Sequence, residues 1–254
     1  MDDSTAISLK NVSKTFYIRE GQSRSLREAA WNIFFPKTKP KEIRALQNIS
    51  LEIKKGETFG IIGRNGSGKT TLLHLIMGSM VPDKGGEVYT DGKMIRLTLG
   101  LGVDKNLSAR DNIYVNASIL GLSFKKIGRI FQDIIEFAGL VDYVDTPVKF
   151  YSKGMKDRLL FSIAMYAEAD IFLLDEFFGG TGDLEFKRKS DEAFGQKILE
   201  GRTIVIVSHS MKILEEYCQR VLWLHRGQMK KLGDPKAVIK LYEASFLGMK
   251  KILK

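Results

Sequence analysis

The sequence predicts an α/β fold, and three observations carry that expectation. First, Thr58-Phe59-Gly60-Ile61-Ile62 is a short apolar run of strand type; it is followed by the glycine-rich run Gly63-Arg64-Asn65-Gly66-Ser67-Gly68 and then by Thr71-Leu72-Leu73-His74-Leu75-Ile76-Met77, which has the pattern of a buried helix. Second, Ile171-Phe172-Leu173-Leu174 and Thr203-Ile204-Val205-Ile206-Val207 are continuous apolar runs. Strands buried on both faces of a parallel sheet read this way, whereas half-exposed strands alternate. Third, segments with helical periodicity lie between those runs, at 112–120, 125–138 and 155–167.

The other elements follow in chain order. Residues 7–12 alternate and predict a strand, as do residues 45–53, where Leu46, Ile49, Leu51 and Ile53 are the apolar positions. An interruption of about 25 residues separates these two strands, too long for a plain hairpin loop. Residues 85–99 predict short strands joined by the turn Asp91-Gly92. A helical pattern runs through 211–218 and includes the single cysteine, Cys218, which is expected only to pack. Residues 221–232 predict a hairpin turning at Arg226-Gly227, and residues 236–244 a last short helix. The grouping suggests one domain over 1–254: an α/β core at 1–100 and 169–235, with a mostly helical lobe at 101–168 inserted between the two parts.

Composition narrows the class. A chain of 254 residues can bury a sizeable core, and 44% hydrophobic with 28% charged residues is ordinary for a globular protein. No apolar run approaches the ~18 residues that span a bilayer. The first residues lack the charged and apolar regions of a secretion signal, and one cysteine allows no intrachain disulfide. The net charge of +10 is concentrated. Residues 18–44 hold seven Lys/Arg against three Glu, and residues 226–254 hold eight against Asp234 and Glu243. Those two segments account for the whole excess. They suit an anionic membrane surface or nucleic acid, or simply keep the chain soluble.

Chemistry begins at residues 63–71. Gly63, Arg64, Asn65, Gly66, Ser67, Gly68, Lys69, Thr70 and Thr71 fit the pattern of Gly, four residues, Gly, Lys, then Ser or Thr, in the strand–loop–helix context that the pattern needs. Such glycines let backbone N–H groups curl around phosphate oxygens, and the helix start adds positive potential. Lys69 is expected to reach the outer phosphates and the Thr70 hydroxyl to ligate Mg²⁺. The run 171–174 ends in Asp175 and Glu176. Parallel sheets place ligands at the carboxyl ends of their strands, so both acids should fall beside the loop. Asp175 can hold Mg²⁺, and Glu176 can orient an attacking water as general base. Tyr151-Ser152-Lys153-Gly154-Met155 leads into a helix; taken alone, it reads as an N-terminal cap.

Together these motifs resemble the nucleotide-binding subunit of ATP-binding cassette (ABC) transporters, and the resemblance covers nearly the whole chain. It implies a P-loop NTPase fold, with a RecA-like core, an antiparallel β subdomain and an inserted helical lobe. Residues 63–71 match the Walker A motif and residues 171–175 Walker B, with Glu176 in the place of the catalytic glutamate. Ser152, Lys153, Gly154 and Met155 resemble a divergent signature motif that keeps its Ser and second Gly. His209, in Ser208-His209-Ser210, matches the switch histidine, Asp183 the D-loop aspartate, and Phe16 the aromatic that stacks on adenine. The implied mechanism uses ATP and Mg²⁺ in a head-to-tail dimer, each ATP held between the Walker A loop of one copy and the signature turn of the other.

Two departures narrow the resemblance. The family's Q-loop glutamine is missing from the stretch Leu97-Thr98-Leu99-Gly100-Leu101-Gly102, and the segment Phe177-Phe178-Gly179-Gly180-Thr181-Gly182-Asp183 is Gly-rich and one residue longer than usual. With the insertion at 18–42, these features resemble bacterial polysaccharide exporters of the O-antigen, wall teichoic acid and capsule type. Within the insertion, Ser25-Leu26-Arg27-Glu28 is a capping box, and Leu26, Ala29, Ala30, Ile33 and Phe34 form one apolar face that Trp31 and Phe35 widen. This segment resembles the family's gate helix. The resemblance implies an integral-membrane permease as partner, an undecaprenyl-linked glycan reached through it, no nucleic acid, and a peripheral place on the cytoplasmic face of the membrane. The short tail is expected to leave no space for an added glycan-binding β-sandwich. The alternatives are an ABC ATPase for another exported substrate, such as a capsule, lipid or drug, and a soluble one acting on nucleic acid or ribosomes.

Overall fold

The computed structural model describes residues 3–18, 40–97, 102–177, 184–197 and 201–252. Its elements are β1 (Thr5–Ile18), β2 (Lys41–Lys54), β3 (Thr58–Ile62), α1 (Lys69–Ile76), β4 (Glu87–Thr90), β5 (Met94–Leu97), α2 (Ala109–Ile119), α3 (Phe124–Ala138), α4 (Lys153–Ala164), β6 (Ile171–Asp175), α5 (Leu184–Lys197), β7 (Thr203–Val207), α6 (Met211–Tyr217), β8 (Arg220–His225), β9 (Gln228–Gly233) and α7 (Pro235–Ile252).

Nine strands form two sheets among the described residues. The larger has the order β5-β6-β7-β3-β8-β9 and is parallel except for β9, while the smaller, β2-β1-β4, is antiparallel. All five residues of β3 and all five of β7 are buried, as their unbroken apolar composition predicts. Alternation then sends side chains to two cores. Phe172, Leu174, Ile204 and Ile206 join Phe161, Phe194 and Leu214 on one face. Ile171, Leu173, Val205 and Val207 join Leu72, Leu75 and the inward residues of β1 and β2 on the other. A third cluster, with Ile113, Ile127, Ile134 and Leu159, holds α2, α3 and α4 together.

A side-chain fork ties the two sheets, and a glycine lets a helix pack on the larger one. Glu57 is 8% exposed and receives both Nε and Nη2 of Arg220, at 2.7 and 2.9 Å, and Arg220 Nη2 also donates to Glu52 O. Gly60 lets α6 approach β3: a Cβ there would stand 2.9 Å from Cys218 Sγ and from Val221 Cγ2.

The structure extends or corrects several of the sequence expectations. The turn Asp91-Gly92 does join two short strands, but they do not pair with each other: β4 pairs with β1 in the small sheet and β5 with β6 in the large one, so the chain changes sheets there. The last helix is not short, since α7 has 18 residues. Helix α5 was not expected, because its buried stripe of Phe186, Ser190, Ala193 and Phe194 includes a polar member and lies in a strongly charged run. The lobe's last helix starts earlier than the Met155 expected, at Lys153. The gate-helix residues Leu26, Ala30, Trp31, Ile33 and Phe34, together with Asp183, lie outside the described residues.

Candidate active site

The glycine loop between β3 and α1 is shaped by contacts that only glycine permits. At Gly63 a Cβ would meet Leu224 O at 2.3 Å, and Gly68, at φ 107°, would meet Ala45 O at 2.5 Å. Gly68 is also the N-cap of α1; it offers no side-chain acceptor, and the first turn holds no acid. The opening N–H groups of α1 therefore have no side-chain competitor for an anion. Lys69 Nζ donates to Gly63 O at 2.7 Å and to Arg64 O at 3.2 Å. Burial pulls the Lys69 ammonium below its ordinary pKa, an effect opposed by the charges of Glu176 and Asp175. Ser67 Oγ is buried with no hydrogen-bond partner among the described residues. From behind, the turn between β8 and β9 braces the loop: Gly227 N donates to Ser67 O at 2.9 Å, and Gln47 donates its N to Gly227 O and its Nε2 to Arg226 O. The Arg64 guanidinium lies 5.6 Å from the ring centroid of Phe246 on α7.

The carboxyl ends of β6 and β7 lie side by side, with Asp175 opposite Val207. Asp175 Oδ2 accepts from Arg96 Nη2 at 2.5 Å. Glu176 takes a left-handed backbone, φ 54°, and its N donates to Val207 O at 3.0 Å. A non-glycine residue held there costs on the order of 1–3 kcal/mol, and such strain concentrates at functional sites. His209 Nε2 lies 3.4 Å from Glu176 Oε1, with both side chains about half exposed. One cavity of about 850 Å³ joins these groups; its lining includes Phe16, the loop from Asn65 to Thr71, Asp175, Glu176 and His209.

A protein-family model described as ABC transporter matches residues 46–179, more than half of the chain. The chain belongs to the ABC transporter family. It is 39% identical over 95% of its length to a teichoic acids export ATP-binding protein of Levilactobacillus brevis, and covers 66% of that relative. To the O-antigen export system ATP-binding protein of Klebsiella pneumoniae it is 35% identical, covering 93% of this chain and 97% of the relative. The chain spans between about half and two thirds of the teichoic acid relatives that it matches first. Its fold resembles a dimeric post-hydrolysis ATP-binding cassette bound to ADP and Pi, with a TM-score of 0.69, 22% identity, and coverage of 90% of this chain and 98% of that one. Among the described residues, no helix is long and apolar enough to cross a membrane.

Of the residues expected to serve an ABC ATPase, those from Asn65 to Thr71 together with Phe16, Asp175, Glu176 and His209 thus meet in one cavity. Gly63 and Arg64 belong to the same loop but do not line it. Ser152, Lys153, Gly154 and Met155 do not line it either. Ser152 Oγ instead accepts from Met155 N at 3.2 Å and caps α4, and Ser152 and Lys153 are exposed. Ile43, Arg44, Gln47 and Arg226 also line the cavity, and sequence reasoning missed them. Arg226-Gly227 reads as an ordinary hairpin turn, and only the fold shows that it backs a loop far earlier in the chain. The donors fit Mg²⁺. The Thr70 hydroxyl and the Asp175 carboxylate, both hard oxygen ligands, line the same cavity. Among the described residues no group of three His, Cys, Asp or Glu could hold an ion.

Proposed function

We propose that this chain is the ATP-hydrolysing subunit of an exporter for a lipid-linked polysaccharide of the teichoic acid or O-antigen class. It works as a head-to-tail dimer on the cytoplasmic face of the membrane, with a separate permease that carries the undecaprenyl-linked glycan. The observation that carries this reading is the single cavity that gathers the glycine loop, Asp175, Glu176, His209 and Phe16. The names of the relatives support the exported substrate class.

In this reading Phe16 stacks on adenine, and the amides of the loop and of the start of α1 take phosphate oxygens. Lys69 exchanges two loop carbonyls for the outer phosphates, where its charge is better compensated than by carbonyls alone. Thr70 and Asp175 would hold Mg²⁺, which would neutralise phosphate charge when bound. Glu176 orients and polarises the attacking water, and His209, already beside it, contacts the terminal phosphate. Ser152 and Gly154 of a second copy complete the site with the N-terminus of α4. Asp183 serves the dimer interface, and the segment containing Leu26, Ala30, Trp31, Ile33 and Phe34 borders the path of the glycan.

The test is ATPase activity after reconstitution with the permease and candidate undecaprenyl-linked polymers. Polymer should stimulate turnover, and Glu176→Gln should lower turnover by about a hundredfold or more while retaining bound ATP in a dimer. Normal turnover in Glu176→Gln removes the general-base assignment. Absence of polymer stimulation removes the export assignment.

A further inference from the structure

The carboxylate that faces the phosphate loop does not stand alone. Arg96, on β5, aims its guanidinium at β6 and places Nη2 at 2.5 Å from Asp175 Oδ2. Both side chains are largely withdrawn from water, at 20% and 13% exposure. The other arm of the fork, Nη1, lies 3.4 Å from His74 Nε2 on α1. Ser79 is the other polar neighbour of the His74 ring. Ser79 Oγ lies 3.1 Å from His74 O and 2.9 Å from His74 Nδ1; when its proton goes to the carbonyl, it accepts from Nδ1. In the tautomer with hydrogen on Nδ1, Nε2 is bare and accepts from Arg96. Arg96 Nε is buried with no hydrogen-bond partner among the described residues. The guanidinium is thus spent on two directed contacts, one to the strand end and one to α1.

This arrangement decides which face of the carboxylate the cavity meets. Rotation of an aspartate carboxyl about its last bond is soft, with broad wells. Anchoring Oδ2 removes that freedom, and Oδ1 has no partner among the described residues. We propose that Arg96, steadied by His74, is a positioning residue that fixes the Asp175 carboxylate so that Oδ1 serves the Mg²⁺ accompanying nucleotide. The inference rests on the reading of Asp175 as a metal ligand. Groups behind a metal's direct ligands set ligand orientation, and their loss costs about tenfold to a hundredfold in metal affinity. The alternative is that Arg96 competes with the cation for the same carboxylate, in which case removing it would tighten metal binding.

The two are separated with the full-length chain, ADP and Mn²⁺, with bound Mn²⁺ read by electron paramagnetic resonance. Arg96→Leu should raise the Mn²⁺ concentration for half-occupancy about tenfold or more, with metal-free ADP affinity little changed. Arg96→Lys, which keeps the charge and loses the fork, should fall between Leu and wild type. His74→Leu should shift the value in the same direction by less. Unchanged or tighter Mn²⁺ binding in a folded Arg96→Leu overturns the proposal. If that variant does not fold, Arg96→Lys and His74→Leu decide on the same criterion. Asp175→Asn separates the layers. If it leaves the Mn²⁺ requirement unchanged, the metal role of Asp175 fails and this inference with it. A shift in Asp175→Asn with none in the Arg96 variants overturns the inference alone.

Discussion

Lys69 carries a burial cost that a bound phosphate would offset. Its ammonium is buried against carbonyl oxygens, and that burial disfavours the charged form. Ligand phosphates would restore what water no longer supplies. Lys69→Met, which keeps the stem, is therefore expected to weaken ADP binding by about 1.5–3 kcal/mol, roughly ten- to a hundredfold. Thermal stability of the nucleotide-free chain should hold or rise. Paired calorimetric titration and thermal melts check this, and a large loss of stability in the free protein would contradict it. At this scale the sequence was informative wherever a motif was local. Gly63 to Thr71, Asp175, Glu176 and His209 could each be picked out because their neighbours in the chain define them. Arg96 could not, because its meaning comes from Asp175, 79 positions away. Nor could Arg226 or Gln47, whose contact joins β2 to a turn 179 positions away in sequence. The strain at Glu176 was equally invisible, since a φ of 54° leaves no mark on composition.

Among elements, strands were more legible than the pairings between them. β3, β6 and β7 declare themselves as apolar runs because they are buried on both faces. The break between β4 and β5 was hidden, because a Gly at φ 119° serves a sheet-to-sheet crossing as well as a hairpin. Gly92 is tight for a separate reason: a Cβ there would stand 2.7 Å from Asp170 Cβ. The turn between β8 and β9 has a similar constraint with a larger consequence. Gly227 sits at φ 76°, and a Cβ would fall 2.6 Å from Ala45 O, a backbone atom of β2. Gly227→Ala should destabilise by at least about 1–2 kcal/mol from the left-handed backbone alone, and the clash should push the turn off Ser67. Nucleotide affinity should fall along with the melting temperature. A variant that melts early but binds ADP normally would disconnect the turn from the phosphate loop.

For the whole molecule, buried weak acids such as Cys218 and Tyr151 contribute to its behaviour in alkali. Burial against β3 pushes the Cys218 thiol up to about 12 from 9.0, and burial pushes the Tyr151 phenol, whose hydroxyl donates to Tyr143 O, up to about 12 from 10.0. Both raised groups hold their protons longer in the native state than in the unfolded one. Their contribution is therefore complete below pH 9.0 and declines as the pH rises toward about 12. The denaturant midpoint should fall across that window, and Cys218→Ala should flatten part of the slope. A midpoint that is level through the same range would contradict the burial. The brace behind the phosphate loop has a further meaning for how the chain is made. Residues 63–71 leave the ribosome early, whereas Gly227, which receives the backbone of Gln47 and grips Ser67, leaves it only after the helical lobe and the strands β6 to β8. An old part of the site thus waits for a much younger one. During synthesis the chain carries its nucleotide loop unsupported while all of those elements emerge, and it gains the braced form only when the β8–β9 hairpin closes.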